Sequence, residues 1–291
     1  MTYIILSVLC SVAVSVLLKL APRHGVDVRQ AIAGNYLVAT LLTVALLSPN
    51  PELLMLPVAH PAWRVLLALG VLLPSIFAVL ARSVQLAGVV RTDAAQRLSL
   101  LLPLLAAFTL FGEAFTWRKG IGMVIGLLAI VCIVMRRRGA NAPKSITSAQ
   151  GWWWPVAVFV GMGAIDILFK RVAQLTGVPF ADVLLATFVL AFVLAMLAMI
   201  WLYARRRARW RWRHAGGAVL LGAFNFGNIL FYIQAHRHLA HDPALVFSSM
   251  NIGVIVLATL VGVWWFSERI GWLNRIGLVL AVIAVGVLAT A

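Results

Sequence analysis

Charge is scarce in this chain. Only 11% of its 291 residues are Asp, Glu, Lys or Arg, whereas a water-soluble domain carries about a quarter. Acids are the scarcest, 8 against 24 Lys and Arg. Hydrophobic residues make up 63% and mean hydropathy is +1.02. No water-soluble fold hides so much apolar surface, because much of any folded surface stays exposed. Lipid is the solvent that removes the difficulty. There are two cysteines, Cys10 and Cys132, and both fall inside apolar stretches. They read as small buried hydrophobes, not as a disulfide framework or a metal pair. A Walker A loop, a nucleophile elbow and an HExxH box are all missing. ATP-driven work by this chain alone and intramembrane catalysis are therefore disfavoured, and no cofactor or metal is expected. A basic n-region is missing too, since Met1, Thr2 and Tyr3 directly precede Ile4. The first apolar stretch is thus expected to be retained as a helix.

What is abundant is long apolar blocks. They cover approximately 3–20, 30–48, 65–86, 94–112, 117–135, 152–172, 180–203, 215–237, 244–266 and 271–290. Each is close to the ~20 residues that a helix needs to cross a hydrocarbon core of about 30 Å. Runs such as Leu98–Leu110 are continuous, not the alternating ten-residue pattern of a membrane barrel. The expected fold class is an all-α integral membrane protein of ten transmembrane helices.

The formal charge of +16 raises the question of nucleic acid, but the positions of the basic residues point elsewhere. Arg136, Arg137, Arg138 and Lys144 follow the fifth block, and six arginines of 205–213 lie between the seventh and eighth. Basic residues in short loops beside spans mark the cytoplasmic face and meet lipid headgroups. Trp210 and Trp212 interleave with Arg209, Arg211 and Arg213 as an interfacial anchor would. Loops after odd-numbered spans also hold Arg23, Arg29, Arg91, Arg269 and Arg275. Loops after even-numbered spans hold only Arg64, Arg118, Lys119, Arg171 and Arg237. The asymmetry predicts cytoplasmic odd loops and termini outside.

The chain repeats itself. Phe111-Gly112-Glu113-Ala114-Phe115-Thr116-Trp117, followed by Gly122, returns as Phe266-Ser267-Glu268-Arg269-Ile270-Gly271-Trp272, followed by Gly277. Val16-Leu17-Leu18-Lys19 parallels Ile167-Leu168-Phe169-Lys170, and Leu86-Ala87 parallels Leu239-Ala240. The predicted organisation is a first five-helix repeat at 1–138, a cytoplasmic linker at 139–151 and a second repeat at 152–291. Five is odd, so the second copy enters the membrane from the opposite side. Two inverted copies enclosing a midplane site is a common transporter plan.

These repeat ends resemble the drug/metabolite transporter superfamily, in particular its EamA-like branch. There each repeat closes with a proline-containing fourth helix, a Gly-Glu near its end and a glycine-rich fifth helix. The first copy here carries Pro103, Gly112-Glu113, Gly120, Gly122 and Gly126. The second carries Ser267-Glu268, Gly271, Gly277 and Gly286, with Ala258 where the proline would stand. The resemblance spans nearly the whole chain. It implies a secondary transporter, an exporter of small polar or amphipathic metabolites such as amino acids, working by alternating access in the bacterial inner membrane. It implies a small-molecule solute and membrane lipids as partners, with proton or solute coupling left open. A flippase for a lipid-linked sugar shares the plan, and a scaffold is the remaining alternative.

Polar residues inside spans are costly and are functional candidates by default. Asn225, Asn228 and Tyr232 share a face of the eighth span, spaced three and four apart. Their amides and hydroxyl suit a zwitterionic or hydroxylated solute, and they suit helix–helix hydrogen bonding equally well. Asp166 and Lys170, four apart, read either as an ion pair or as a carboxylate that exchanges a proton or binds an amino group. Lys19, Arg82 and Arg97 near cytoplasmic span ends would form a basic vestibule, with Arg97 a turn inside beside Gln96. Asn251 is the repeat counterpart of Gln96, and with Ser248 and Ser249 it is a candidate for solute contact. The expected substrate-binding set is thus Asn225, Asn228, Tyr232, Asp166, Arg97 and Asn251. Glu113 and Glu268 recur at matching turns and are expected to hold the chain into the next helix. His236, His238, His241 and Asp242 cluster at a membrane edge without metal-box spacing.

Overall fold

The computed structural model describes residues 1–21, 26–50, 60–87, 89–134, 153–205, 215–265 and 271–290. Eleven helices account for nearly all of these residues: α1 (Thr2–Leu20), α2 (Val28–Leu47), α3 (Pro61–Ala87), α4 (Val89–Leu98), α5 (Leu101–Thr109), α6 (Trp117–Val134), α7 (Trp153–Gln174), α8 (Phe180–Ala204), α9 (Ala215–His238), α10 (Pro243–Trp264) and α11 (Trp272–Ala289). There is no strand among the described residues. The linker arginines Arg136–Arg138, the run after Arg205, and Glu268 lie outside the described residues.

Nine of the ten apolar blocks coincide with one helix each. The fourth does not, and it corrects the expectation of a single helix over 94–112. It divides into α4 and α5, and the cause is Pro103. Proline has no N–H, and its ring collides with the carbonyl four residues back, here Ser99. The backbone responds by tightening. Leu100 N donates to Arg97 O at 3.4 Å and Leu102 N to Ser99 O at 3.0 Å, both reaching back only three residues, before Leu104 N to Leu100 O restores the ordinary pattern. Ser99 Oγ donates to Gln96 O at 2.6 Å, satisfying a carbonyl at the break. In α10 the corresponding position is Ala258, and that helix runs unbroken from Pro243 to Trp264.

The bundle presents its apolar side chains outward as well as inward. Five helical segments, Gln30–Leu47, Ala62–Val84, Phe180–Ala204, Ala215–His238 and Pro243–Trp264, are long and apolar enough to cross a membrane. Only 28% to 50% of these windows is buried, so their remaining apolar faces need lipid. Leu41, Leu105, Val124, Leu197 and Val279 are all exposed. Trp117, Trp153, Trp264, Trp265 and Trp272 are exposed at or next to helix ends, where indole rings suit the headgroup layer.

Packing partners are exchanged between the halves. With α4 and α5 taken as one, α1–α6 and α7–α11 each supply five members. The contact α1·α9 has its counterpart in α3·α7, and α2·α9 in α3·α8. Likewise α1·α10 answers to α4·α7 and α5·α7, and α10·α11 to α4·α6. The contacts α2·α8 and α6·α11 are their own counterparts. One core joins α1, α2, α3, α5 and α6 to α7–α10, with Tyr36, Phe188 and Phe247 fully enclosed. A second, smaller core of Ala129, Ile252, Ala281 and Ala284 fastens α6 and α11 to α10. Small residues permit that close approach: a Cβ on Gly126 would come within 3.0 Å of Ile252.

Candidate solute cavity

A cavity of about 210 Å³ lies among α1, α2, α3, α4, α7, α9 and α10. Its walls mix apolar side chains, among them Leu73, Ile76, Phe77, Met162, Phe169 and Val254, with a convergent polar set. All six residues singled out from the sequence line it: Arg97 from α4, Asp166 from α7, Asn225, Asn228 and Tyr232 from α9, and Asn251 from α10. Helical periodicity placed the three α9 residues on one face. Only packing brought that face opposite Asp166 and Arg97.

Asp166 is the sole acid among the lining residues and Arg97 the sole base. The side chains of Asn251 and Tyr232 stand beside the Asp166 carboxyl. The Tyr232 hydroxyl faces it without closing a hydrogen bond. Asn251 Nδ2 donates to Phe247 O of its own helix at 3.0 Å. Asn228 does two things at once. Ser7 Oγ of α1 lies 2.9 Å from both Asn228 O and Asn228 Oδ1, so the amide oxygen holds α1 to α9 while the residue still borders the cavity.

Four further polar lining residues, Ser11, Tyr36, Gln96 and Ser99, were not in the expected set. Gln96 adjoins Arg97 and shares its place at the end of α4. Ser99 sits at the Pro103 break, where α4 and α5 both terminate. The α7 backbone comes tight against that break, since a Cβ on Gly163 would lie 2.7 Å from Leu102 and 3.0 Å from Ser99 O. Tyr36 is fully buried in α2, with no hydrogen bond to its hydroxyl. Tyr36 is followed at helical spacing by Thr40 and Thr43, but that spacing does not say what the face meets.

Four groups singled out from the sequence take a different form in the structure. Lys170 does not pair with Asp166. It is fully buried and donates to Ala240 O at 2.9 Å and to His236 O at 3.5 Å, a cation seated on the carbonyl end of α9. Ser248 and Ser249 are buried inside α10 away from the cavity lining. Of the proposed vestibule, Arg97 reaches the cavity and Arg82 is exposed, while the Lys19 side chain lies outside the described set. The histidines do not converge: His236 is enclosed by the rings of Tyr232 and Phe247, and His238 lies against Tyr3.

Glu113 does hold its turn. Gly112, with φ of 66°, takes the left-handed conformation that glycine adopts without strain. The following Glu113 accepts from Lys119 Nζ of α6 at 2.8 Å through Oε1 and from Ala244 N of α10 at 2.8 Å through Oε2. Lys119 Nζ also reaches Asp242 Oδ1 at 3.0 Å.

An all-helical, lipid-facing bundle around a polar-lined cavity defines a membrane protein. Its sequence and structural likenesses define its kind. Residues 1–135 match the EamA-like transporter family. An uncharacterized protein of Haemophilus influenzae (strain ATCC 51907 / DSM 11121 / KW20 / Rd) is 41% identical over 285 residues, 97% of this chain and 95% of that protein. A solved crystal structure superposes with a TM-score of 0.69 over 97% of this chain and 98% of its own, at 18% identity, which is a likeness of fold alone. The chain belongs to the EamA-like transporter family, membrane transporters of the drug/metabolite type whose members are transporters and not enzymes.

Proposed function

We propose that the chain is a secondary transporter that carries a small polar or amphipathic solute, an amino acid or a molecule of like size, outward across the bacterial inner membrane. Ten spans, arranged as two inverted five-helix halves, would open the cavity to one face and then the other. The observation that carries the reading is the convergence of Asp166, Arg97, Asn225, Asn228, Tyr232 and Asn251 on one apolar-walled cavity. A carboxylate and a guanidinium in the same cavity suit the ammonium and carboxylate of a zwitterion, and the three asparagines supply both donors and acceptors. The volume of about 210 Å³ falls below the ~300–1,000 Å³ of pockets for drug-sized ligands, which favours a small solute. The exchange of packing partners between halves supports the two-copy arrangement.

The test is uptake and efflux in proteoliposomes holding purified protein, across a panel of radiolabelled amino acids, polyols and sugars. Saturable movement of a zwitterion is the expected result. Movement confined to lipid-linked sugars would replace this reading with a flippase. No movement of any panel member would remove it.

A further inference from the structure

Past one end of the cavity lining comes a run of buried side chains and then an ion-paired cluster. Phe169 and Tyr232 mark that end on α7 and α9. Lys170, the next residue after Phe169, and His236, one turn beyond Tyr232, both have no exposure, and Phe247 of α10 is equally enclosed beside His236. Beyond this plug lies the cluster of Glu113, Lys119 and Asp242. Lys119 belongs to α6 of the first half and Asp242 to the turn before α10 of the second, so the 3.0 Å ion pair between them crosses from one half to the other. Glu113 crosses as well, through the 2.8 Å bond from Ala244 N. At the other end of the cavity, Gln96 and Arg97 are part-exposed.

The sequence repeat carries only part of this cluster over to the other half. The offset of 155 residues that relates Glu113 to Glu268 sends Lys119 to Asn274 and Ala244 to Val89, and the neighbourhood of Asp242 falls on Ala87-Gly88-Val89. At the matching sequence positions, therefore, the second copy repeats the glutamate but not the lysine or the aspartate.

We infer that Glu113, Lys119 and Asp242 are a latch between the halves that closes this end of the cavity, and that its release admits solvent from this face. The inference rests on the two-sided cavity of the proposed function. The pair is suited to repeated opening. Asp242 is 45% exposed at its side chain, so water replaces its partner when the bond breaks. Glu113, 1% exposed at its side chain, keeps Lys119 in place as the halves part.

The test needs no solute. Val254 lines the cavity, and Val254→Cys in a chain with Cys10→Ala and Cys132→Ala reports access from either side. Sealed vesicles are treated with an impermeant maleimide on one face at a time. With the latch intact, labelling is expected from the Gln96–Arg97 face and not from the Glu113 face. Asp242→Asn, which leaves the Glu113–Lys119 and Glu113–Ala244 bonds in place, is expected to raise labelling from the Glu113 face by about 2- to 5-fold, on the order of one broken surface ion pair. Lys119→Gln is expected to raise it further. Unchanged labelling from that face in Asp242→Asn, in protein that remains monodisperse, overturns the latch and leaves the cluster a fixed staple. Labelling from the Glu113 face before any substitution also overturns it. A labelling shift together with failure of the solute panel keeps the latch and removes only the solute reading.

Discussion

Asn228 and Asp166 show how differently two lining residues can be tested. Asn228 bonds to Ser7 and also borders the cavity, so loss of its amide removes two things. Ser7→Ala removes only the interhelical bond. Each substitution should lower stability by about 0.6 kcal/mol, the mean for a side-chain hydrogen bond between membrane helices. Asn228→Ala should in addition lower solute transport several-fold, while Ser7→Ala leaves it near the parent level. Thermal unfolding in detergent beside a transport assay separates the effects. Equal transport loss in both variants would make Asn228 helix glue and nothing more. Asp166→Asn keeps shape and removes charge. Transport of a zwitterion should fall by at least tenfold, about 1.4 kcal/mol of lost ammonium pairing, with the unfolding midpoint unchanged or raised, because a cavity acid no longer needs hydration. Retained transport would dismiss Asp166 as the ammonium partner. Periodicity was enough to read the α9 face in the sequence. Tyr36 was not picked out, because its helical spacing with Thr40 and Thr43 on α2 does not say whether that face meets a cavity or a packed neighbour. The partners of Lys170 were not legible for a related reason: spacing of four allows a pair with Asp166, but the carbonyls of Ala240 and His236, some 66 to 70 positions away, offered a better-placed set of acceptors.

At the scale of elements, the α4–α5 break is where local chemistry overrides a uniform apolar run. Hydropathy adds residues one at a time and treats Pro103 as one more apolar position. The ring acts instead on a single carbonyl, that of Ser99, and so turns one span into two helices whose ends meet at the cavity. Broken helices at membrane depth are tolerated where they line a cavity, since freed backbone groups find partners there. Pro103→Ala should rejoin α4 and α5 and raise thermal stability, because a proline within a helix costs about 3 kcal/mol relative to alanine. It should also reduce transport by withdrawing Ser99 and re-aiming Arg97. A stability gain with full transport would show that the break is incidental to the site. Gly163 provides the complementary case. Gly163→Val drives a side chain into Leu102 and the Ser99 carbonyl, and overpacking of that kind should lower stability by about 1–3 kcal/mol, measurable as a drop in unfolding midpoint.

For the whole molecule, two further outcomes are expected. Superposing residues 1–137 on 152–291 in an experimentally determined structure should align five helices in order about an axis in the membrane plane, and halves of the same orientation would defeat the inverted plan. Reporter fusions should place the 139–151 segment in the cytoplasm and Ala291 outside, and a cytoplasmic Ala291 would show that loop charge does not orient this chain. The sequence by itself determined a helical membrane protein, the position of its apolar blocks and the recurrence of one half in the other. Those properties sum over some 20 residues at a time, and lipid rewards them whatever the neighbours are. The tertiary structure alone decided which polar groups meet. Asp166 came to face Tyr232 and Asn251, Ser7 found Asn228 across 221 positions, and Lys119 was held between Glu113 and Asp242. The physical reason is that apolar faces pack in many ways with nearly equal energy, whereas a buried polar group accepts only a partner at hydrogen-bonding distance, and that partner is supplied by another helix.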